Sequence, residues 1–280
     1  MKNEFTYNEI KAVLTKAGIE NAGFEADVLL SHFCSVPMSK LPLVRGEAFT
    51  SDELKNAIEK RLKRYPLQYL IGEWDFCRES YFVSPDCLIP RPETELLVEL
   101  AASLLPSGAS FLDLCTGSGC IAISTLCART DCRAVAVDAF DATLEIAKKN
   151  AEKNGVGSSV DFIKCDLLTE GAPKKICGDK KYSAILSNPP YIKTCDLAEL
   201  EPELFFEPRA ALDGGDDGLI FYRKIIGGFA PHLDDGGFML FEAGCDTARG
   251  VAEIGTENGF ISEVIPDLSG LDRMILMKKN

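Results

Sequence analysis

Five consecutive residues, Ser187-Asn188-Pro189-Pro190-Tyr191, carry groups whose types and order could do chemistry, and they directly follow the apolar run 182–186. Two prolines hold φ near −65°, remove two backbone donors and push the residues before them towards extended conformations. The sequence therefore predicts a stiff loop at the end of a buried strand, with groups that need no reordering when a ligand arrives. Asn188 offers an amide donor and a carbonyl acceptor, Pro189 keeps a free carbonyl, and Tyr191 adds an aromatic face. Such a set suits gripping a planar –CO–NH2 or a ring amino group by its two N–H bonds. Asn188, Pro189 and Tyr191 are the candidate catalytic residues, and Asn188 through Tyr191, Pro190 included, the candidate substrate cradle.

A second constellation precedes it. Asp113-Leu114-Cys115-Thr116-Gly117-Ser118-Gly119 reads as a turn between a strand and a helix, its glycines allowing close backbone approach to a ligand. Gly117-x-Gly119-x-x-Ala122, with Asp138 nineteen residues past Gly119, satisfies the dinucleotide pattern and would also suit a nicotinamide dehydrogenase. The acids decide otherwise. Asp113 would repel a pyrophosphate but could accept from a cationic amino-acid portion, Asp138 could take ribose hydroxyls, and Asp166 could meet an adenine amino group. Three acids at successive strand ends point to S-adenosylmethionine as cofactor, with Cys115, Thr116, Gly117, Ser118 and Gly119 as the loop that holds it. An amide nitrogen is a poor nucleophile. If Asn188 and Pro189 accept its two protons, it is turned towards the sulfonium methyl and its growing positive charge is stabilised. No Ser-His-Asp set is needed, and Gly117-Ser118-Gly119 lacks the Gly-x-Ser-x-Gly spacing.

These residues need a frame. Thr6-Tyr-Asn-Glu9 and Thr50-Ser-Asp-Glu53 both fit a capping box, and Leu54, Ala57, Ile58 and Leu62 recur at helical spacing. Phe24, Val28, Leu29 and Phe33 form another helical face, so residues 1–64 are expected to be a small all-helical domain holding the substrate. Leu67–Ile71 and Tyr81–Val83 read as strands of a linking hairpin within 65–90. Pro92 suits the first turn of a helix running to about Leu105. Beyond Ala109, β-runs at 110–114, 134–138, 160–164, 184–187, 237–241, 261–265 and 272–277 alternate with helical patterns. The fold class is therefore α/β: a Rossmann-like, mostly parallel doubly wound sheet over 91–280, with ligands at the carboxyl ends of its strands.

Composition narrows the partners. Thirty Lys and Arg against 43 Asp and Glu give a net charge of −13, which disfavours nucleic acid as a main partner. Eleven cysteines are an odd number without any Cys-x-x-Cys pair, and neither His32 nor His232 lies near one at ligand spacing. No metal is expected, and the thiols read as reduced and mostly buried. With no apolar signal core and no membrane-length run, the chain is expected to be soluble and cytoplasmic, without membrane contact, and to act as a monomer.

Ile89-Pro-Arg-Pro-Glu-Thr-Glu95, Asp113-Leu-x-Thr-Gly-Ser-Gly119, Ser187-Asn-Pro-Pro-Tyr-Ile192, Glu207-Pro-Arg-Ala-Ala-Leu-Asp-Gly-Gly215 and Asp217-Gly-Leu219 together resemble the release-factor glutamine methyltransferases. The resemblance covers essentially the whole chain, including Gln68-Tyr-Leu-Ile-Gly72. Asn-Pro-Pro-Tyr alone is shared with nucleic-acid amino methyltransferases; the 89–95 and 207–212 blocks point to this family. The resemblance implies a class I methyltransferase whose substrate is the glutamine of a Gly-Gly-Gln loop in peptide chain release factors. It also implies that Cys115–Gly119 and Asp138 bind S-adenosylmethionine, that Asp166 and Leu167 flank its adenine, and that Asn188 lies near both cofactor and substrate. Two departures stand out. Cys115 replaces the usual first glycine, tolerable if its φ stays negative, and Asp246-Thr247 stands where the family often has glutamine. The competing expectations are an amino methyltransferase of DNA or RNA bases and a non-catalytic S-adenosylmethionine-binding module.

Overall fold

The computed structural model describes residues 4–279, which divide into two compact units, one formed by the chain up to Gly72 with Glu201–Phe206, the other by Glu73–Leu200 with 207 onward. The first unit contains β1 (Glu4–Thr6), α1 (Tyr7–Lys16), α2 (Ala22–Cys34), α3 (Leu41–Val44), β2 (Ala48–Thr50), α4 (Asp52–Arg61) and α5 (Leu67–Ile71). Apolar spacing sets its core: Ile10, Leu14, Leu29, Leu30, Leu54 and Ile58 are all fully buried. The capping box at α1 is present, with Glu9 N donating to Thr6 Oγ1 and Thr6 N to the Glu9 carboxylate at 3.0 Å.

Three expectations for this unit need correction. It is not purely helical, because β1 and β2 pair antiparallel; strands of three residues are too short to show an alternating pattern. The cap of α4 is Ser51, which accepts from Leu54 N at 3.1 Å, one residue later than the box read at Thr50. Leu67–Ile71 is a helix rather than a strand: Leu70 N donates to the carbonyl of Pro66, and Gly72 closes the turn at φ 80°. A five-residue apolar run fits either period, and here the flanking proline and glycine decide.

The hairpin's first strand is β3 (Glu73–Phe76) instead of Leu67–Ile71, while its second, β4 (Glu79–Phe82), overlaps the expected Tyr81–Val83 and sets Tyr81 opposite Trp74. The expected first-turn proline, Pro92, sits in the turn just before α6 (Thr94–Leu104), where its carbonyl accepts from Glu95 N. There follow β5 (Ser110–Leu114), α7 (Cys120–Ala128), β6 (Arg133–Asp138), α8 (Asp141–Lys153), β7 (Val160–Lys164), α9 (Ala172–Cys177) and β8 (Tyr182–Ser187). The chain ends with α10 (Ile220–Phe229), β9 (Leu233–Glu242), α11 (Ala248–Glu257), β10 (Phe260–Pro266) and β11 (Asp272–Lys279).

Seven of these strands make one sheet in the order β10-β11-β9-β8-β5-β6-β7, parallel except for β11. Side chains alternate across it: Phe111, Ala136 and Leu186 enter one core, Leu112, Val137 and Ile185 the other. Buried on both faces, the central strands are mostly apolar, as parallel strands covered by helices are, with Asp113 in β5 and Ser187 at the end of β8 as buried polar exceptions. β5 lies between β6 and β8, where the chain's progress across the sheet reverses. Leu114 is in register with Ser187, so residues 115 and 188 leave the sheet side by side at the switch point. No helix among the described residues is long and apolar enough to cross a membrane. Cys77, Cys195 and Cys245 are exposed, so the thiols are less uniformly buried than expected.

Candidate functional site

A cavity of about 760 Å³ opens at that switch point. Cys115, Thr116, Gly117, Ser118, Asp138, Asp166, Leu167, Asn188 and Pro190 lie on its wall. Gly119, Pro189 and Tyr191 are adjacent in sequence to lining residues but, like Asp113, do not themselves line it.

The glycine loop is held from both sides. Thr116 N donates to the carbonyl of Val137 at 2.9 Å, and Gly117 N to Asp138 Oδ2 at 3.1 Å. Asp138 Oδ1 accepts from Phe140 N at 3.2 Å, and burial pushes the Asp138 carboxyl above its ordinary range while the backbone donors oppose this. Asp113 is fully buried; its Oδ2 accepts from Thr116 Oγ1 at 2.6 Å and from Ala122 N at 3.1 Å, while its Oδ1 has no hydrogen-bond partner. Burial raises this carboxyl to about 7. The acid therefore fastens the loop to the start of α7 with one oxygen and leaves the other unsatisfied.

Gly117 and Gly119 do different things. Both have positive φ, but a Cβ on Gly117 would meet no protein atom within 4 Å, whereas one on Gly119 would fall 2.8 Å from Ile123 Cδ1. The first keeps the cavity wall open, and the second lets α7 start close against its neighbours. Cys115 has φ 61°, so the condition of a negative φ is not met. A non-glycine residue there carries about 1–2 kcal/mol of strain. The position is the first of the turn out of β5.

The Asn-Pro-Pro-Tyr loop is gripped by the segment after it. Ile192 N donates to the carbonyl of Leu212 at 2.9 Å, and Gly214 N to that of Ile192 at 2.8 Å. A Cβ on Gly214 would lie 2.7 Å from Tyr191 Cα, and one on Gly218 2.4 Å from the Tyr191 carbonyl oxygen. The block from Leu212 to Leu219 is thus a backbone cast of the loop. Glu207 accepts from Ile89 N at 3.0 Å and from the Arg91 guanidinium, tying the 89–95 block to the 207–215 block. The sequence blocks quoted separately above come together here.

Several contributing residues had no role in the sequence reading. Asn150 is fully buried, donates to the carbonyls of Ser118 at 2.9 Å and Phe82 at 3.1 Å, and so joins the hairpin to the glycine loop. Phe140, two residues past Asp138, is 53% exposed on the cavity wall. Thr94 accepts from Asn188 Nδ2 at 3.2 Å and donates to Glu242 Oε2 at 2.6 Å. Tyr191 donates to Glu242 Oε1 at 3.4 Å, and Tyr222 to the Glu242 carbonyl at 2.7 Å. Thr94 lay inside the quoted 89–95 block, but nothing in spacing pairs it with Glu242, 148 positions away.

Comparison with known proteins adds a second line. Residues 6–72 match the family described as PrmC N-terminal domain, and residues 92–223 the Methyltransferase small domain. A release factor glutamine methyltransferase of Geobacter sulfurreducens is 36% identical over 270 residues, covering 95% of this chain and 92% of the relative. One of Moorella thermoacetica is 37% identical over 271 residues, covering 94% and 93% respectively. A solved methyltransferase from Pyrococcus furiosus shares the fold at a TM-score of 0.53 and 20% identity, over 71% of this chain and 87% of that one. Similarity that runs through the helical unit and the sheet alike, at this level of identity, establishes that the chain belongs to the release factor glutamine methyltransferase family.

Proposed function

We infer that this chain transfers a methyl group from S-adenosylmethionine to the side-chain amide nitrogen of the glutamine in the Gly-Gly-Gln motif of peptide chain release factors. The observation that carries the reading is the state of Asn188. Its Nδ2 is engaged by Thr94 on the cavity wall, while among the described residues nothing donates to its Oδ1 or to the Pro189 carbonyl. Two acceptors on a rigid loop match the two protons of a primary amide.

The residues present fit the cofactor. The unpartnered Oδ1 of a buried Asp113 suits a nearby ammonium, and the empty space over Gly117 suits close backbone approach. Asp138 would take the ribose hydroxyls, Asp166 and Leu167 would flank the adenine, and exposed Phe140 would cover its face. When bound, S-adenosylmethionine supplies an electrophilic methyl on a cationic sulfur. Asn188 Oδ1 and the Pro189 carbonyl orient the glutamine nitrogen and stabilise the positive charge that develops on it. Tyr191 and Pro190 close the cradle. The helical unit up to Gly72 holds the release factor, and a monomer without nucleic-acid or membrane contact suffices for the reaction.

Incubation with isotopically labelled S-adenosylmethionine and purified release factor tests this, with peptide mass spectrometry to place the label. One methyl on the Gly-Gly-Gln glutamine is expected. Label on another residue, or on added DNA or RNA but not on the release factor, overturns the reading.

A further inference from the structure

We propose that Glu242, acting through the Thr94 hydroxyl, sets which way the Asn188 amide points. The proposal rests on the reading that Asn188 accepts a substrate amide proton, and it names the residues that make it able to.

Hydrogen-bond polarity sets the direction. An ionised carboxylate only accepts, and a threonine hydroxyl has a single proton. Thr94 Oγ1 lies 2.6 Å from Glu242 Oε2, so that proton is committed to Glu242. Towards Asn188, 3.2 Å away, the Thr94 oxygen can then only accept. That selects Nδ2 for the Thr94 side and turns Oδ1 to the cavity. The opposite orientation would press Oδ1 against an oxygen with no proton to give, and would offer substrate a donor where an acceptor is needed. Glu242 is 1% exposed at the end of β9, Thr94 opens α6 and Asn188 follows β8, so three elements contribute one residue each. Tyr191 donates to the other carboxylate oxygen; burial raises the Glu242 carboxyl above its ordinary range, while the hydrogen bond from Thr94, the charge of Arg273 and the Tyr191 hydroxyl oppose the rise. Thr94 and Glu242 are positioning residues, since they act through Asn188.

A carboxylate that merely staples α6 to β9 would be indifferent to the direction of these bonds. The test therefore reverses them in the full chain, reading single-turnover methylation of release factor at saturating cofactor and substrate, with cofactor affinity in parallel. Thr94→Val, nearly isosteric, should slow transfer by about tenfold to a hundredfold with cofactor affinity within about threefold, and Thr94→Ser should restore it. Asn188→Asp sets an acceptor against the Thr94 oxygen and should be slow. Adding Glu242→Gln supplies a donor to Thr94, frees its proton for Asp at position 188, and should speed that variant by about tenfold. If Thr94→Val stays within threefold of the parent, or if the double variant is no faster than Asn188→Asp, the relay is overturned. Asn188→Ala separates the two readings: near-parent transfer by that variant sinks the amide grip itself, whereas slow transfer with a fast Thr94→Val leaves the grip and removes only the relay.

Discussion

At the scale of single residues, the site divides into groups that hold a ligand and groups that hold those groups. Asn188→Ala removes one acceptor while both prolines keep the loop stiff. Loss of one preorganised partner of a developing charge typically costs about 2.7–4 kcal/mol, so single-turnover transfer should fall by about a hundredfold to a thousandfold. Cofactor affinity, measured by titration calorimetry, should change far less. Asp138→Ala should do the reverse, raising the cofactor dissociation constant by about tenfold to a hundredfold for a lost charge-assisted bond. It also frees Gly117 N, which Asp138 Oδ2 holds at 3.1 Å, so an unchanged isotherm would move Asp138 to a purely structural role. Cys115 differs from both. Burial beside Asp138 and Asp113 pushes its thiol well above the ordinary value, so it should resist iodoacetamide at pH 8 while exposed Cys245 is labelled, as peptide mapping would read.

At the scale of elements, the loops matter through what their backbones touch. The 212–219 segment lies against Pro190 and Tyr191 so closely that Gly218 has no room for a methyl: its Cβ would sit 2.4 Å from a backbone oxygen. Gly218→Ala must displace the Asn-Pro-Pro-Tyr loop, also because φ is 76° there. A displacement of 1 Å at a reacting group can cost about a hundredfold, so transfer should drop by that order, while cofactor affinity, which the proposed function assigns to residues after β5 and β6, should be nearly kept. Parent-like turnover in Gly218→Ala would mean that the cast does not set the loop. The helical unit makes a separate prediction. Phe24 is 52% and Leu43 83% exposed there, large apolar surface for a small unit. If this unit holds the release factor, Phe24→Glu with Leu43→Glu should raise KM for the whole factor several-fold and leave a short Gly-Gly-Gln peptide unaffected. Equal effects on both substrates would remove the docking role.

At the scale of the whole molecule, buried carboxyls tie stability to pH. Asp113 is raised from 3.8 to about 7 by burial, and Glu242 and Asp138 are raised for the same reason. A raised carboxyl binds its proton more tightly folded than unfolded. Its stabilisation is full below the unfolded pKa and is lost as pH rises through the folded one. For Asp113 the window is about pH 4 to 7, and its share is about 4 kcal/mol at most. Asp213, Asp217 and Asp267 are lowered by their hydrogen bonds, which acts in the opposite sense but below about pH 4. Thermal unfolding should therefore show a midpoint that declines from about pH 5 towards 7.5, and Asp113→Asn should flatten the decline. A flat profile in the parent would contradict the burial of that carboxyl.

What the amino-acid sequence determined by itself is the part governed by local rules and short spacing. Alternating apolar runs and helical faces were enough for a doubly wound sheet, the Thr6–Glu9 cap follows from residues three apart, and the acids at 113, 138 and 166 fall within two residues of the ends of β5, β6 and β7. Asn188 was legible because two prolines make its neighbourhood stiff whatever surrounds it. Where two local signals competed, over Leu67–Ile71 and at the cap of α4, period alone could not choose. Tertiary structure decided everything that joins distant positions: the left-handed backbone at Cys115, the cast of 212–219 around Tyr191, and the path from Glu242 through Thr94 to Asn188. The reason is physical. A hydrogen bond between residues 148 positions apart leaves no periodicity in the chain, and its direction depends on which buried group has a proton to give. That is settled only when the sheet brings the ends of β8 and β9 beside the first residue of α6.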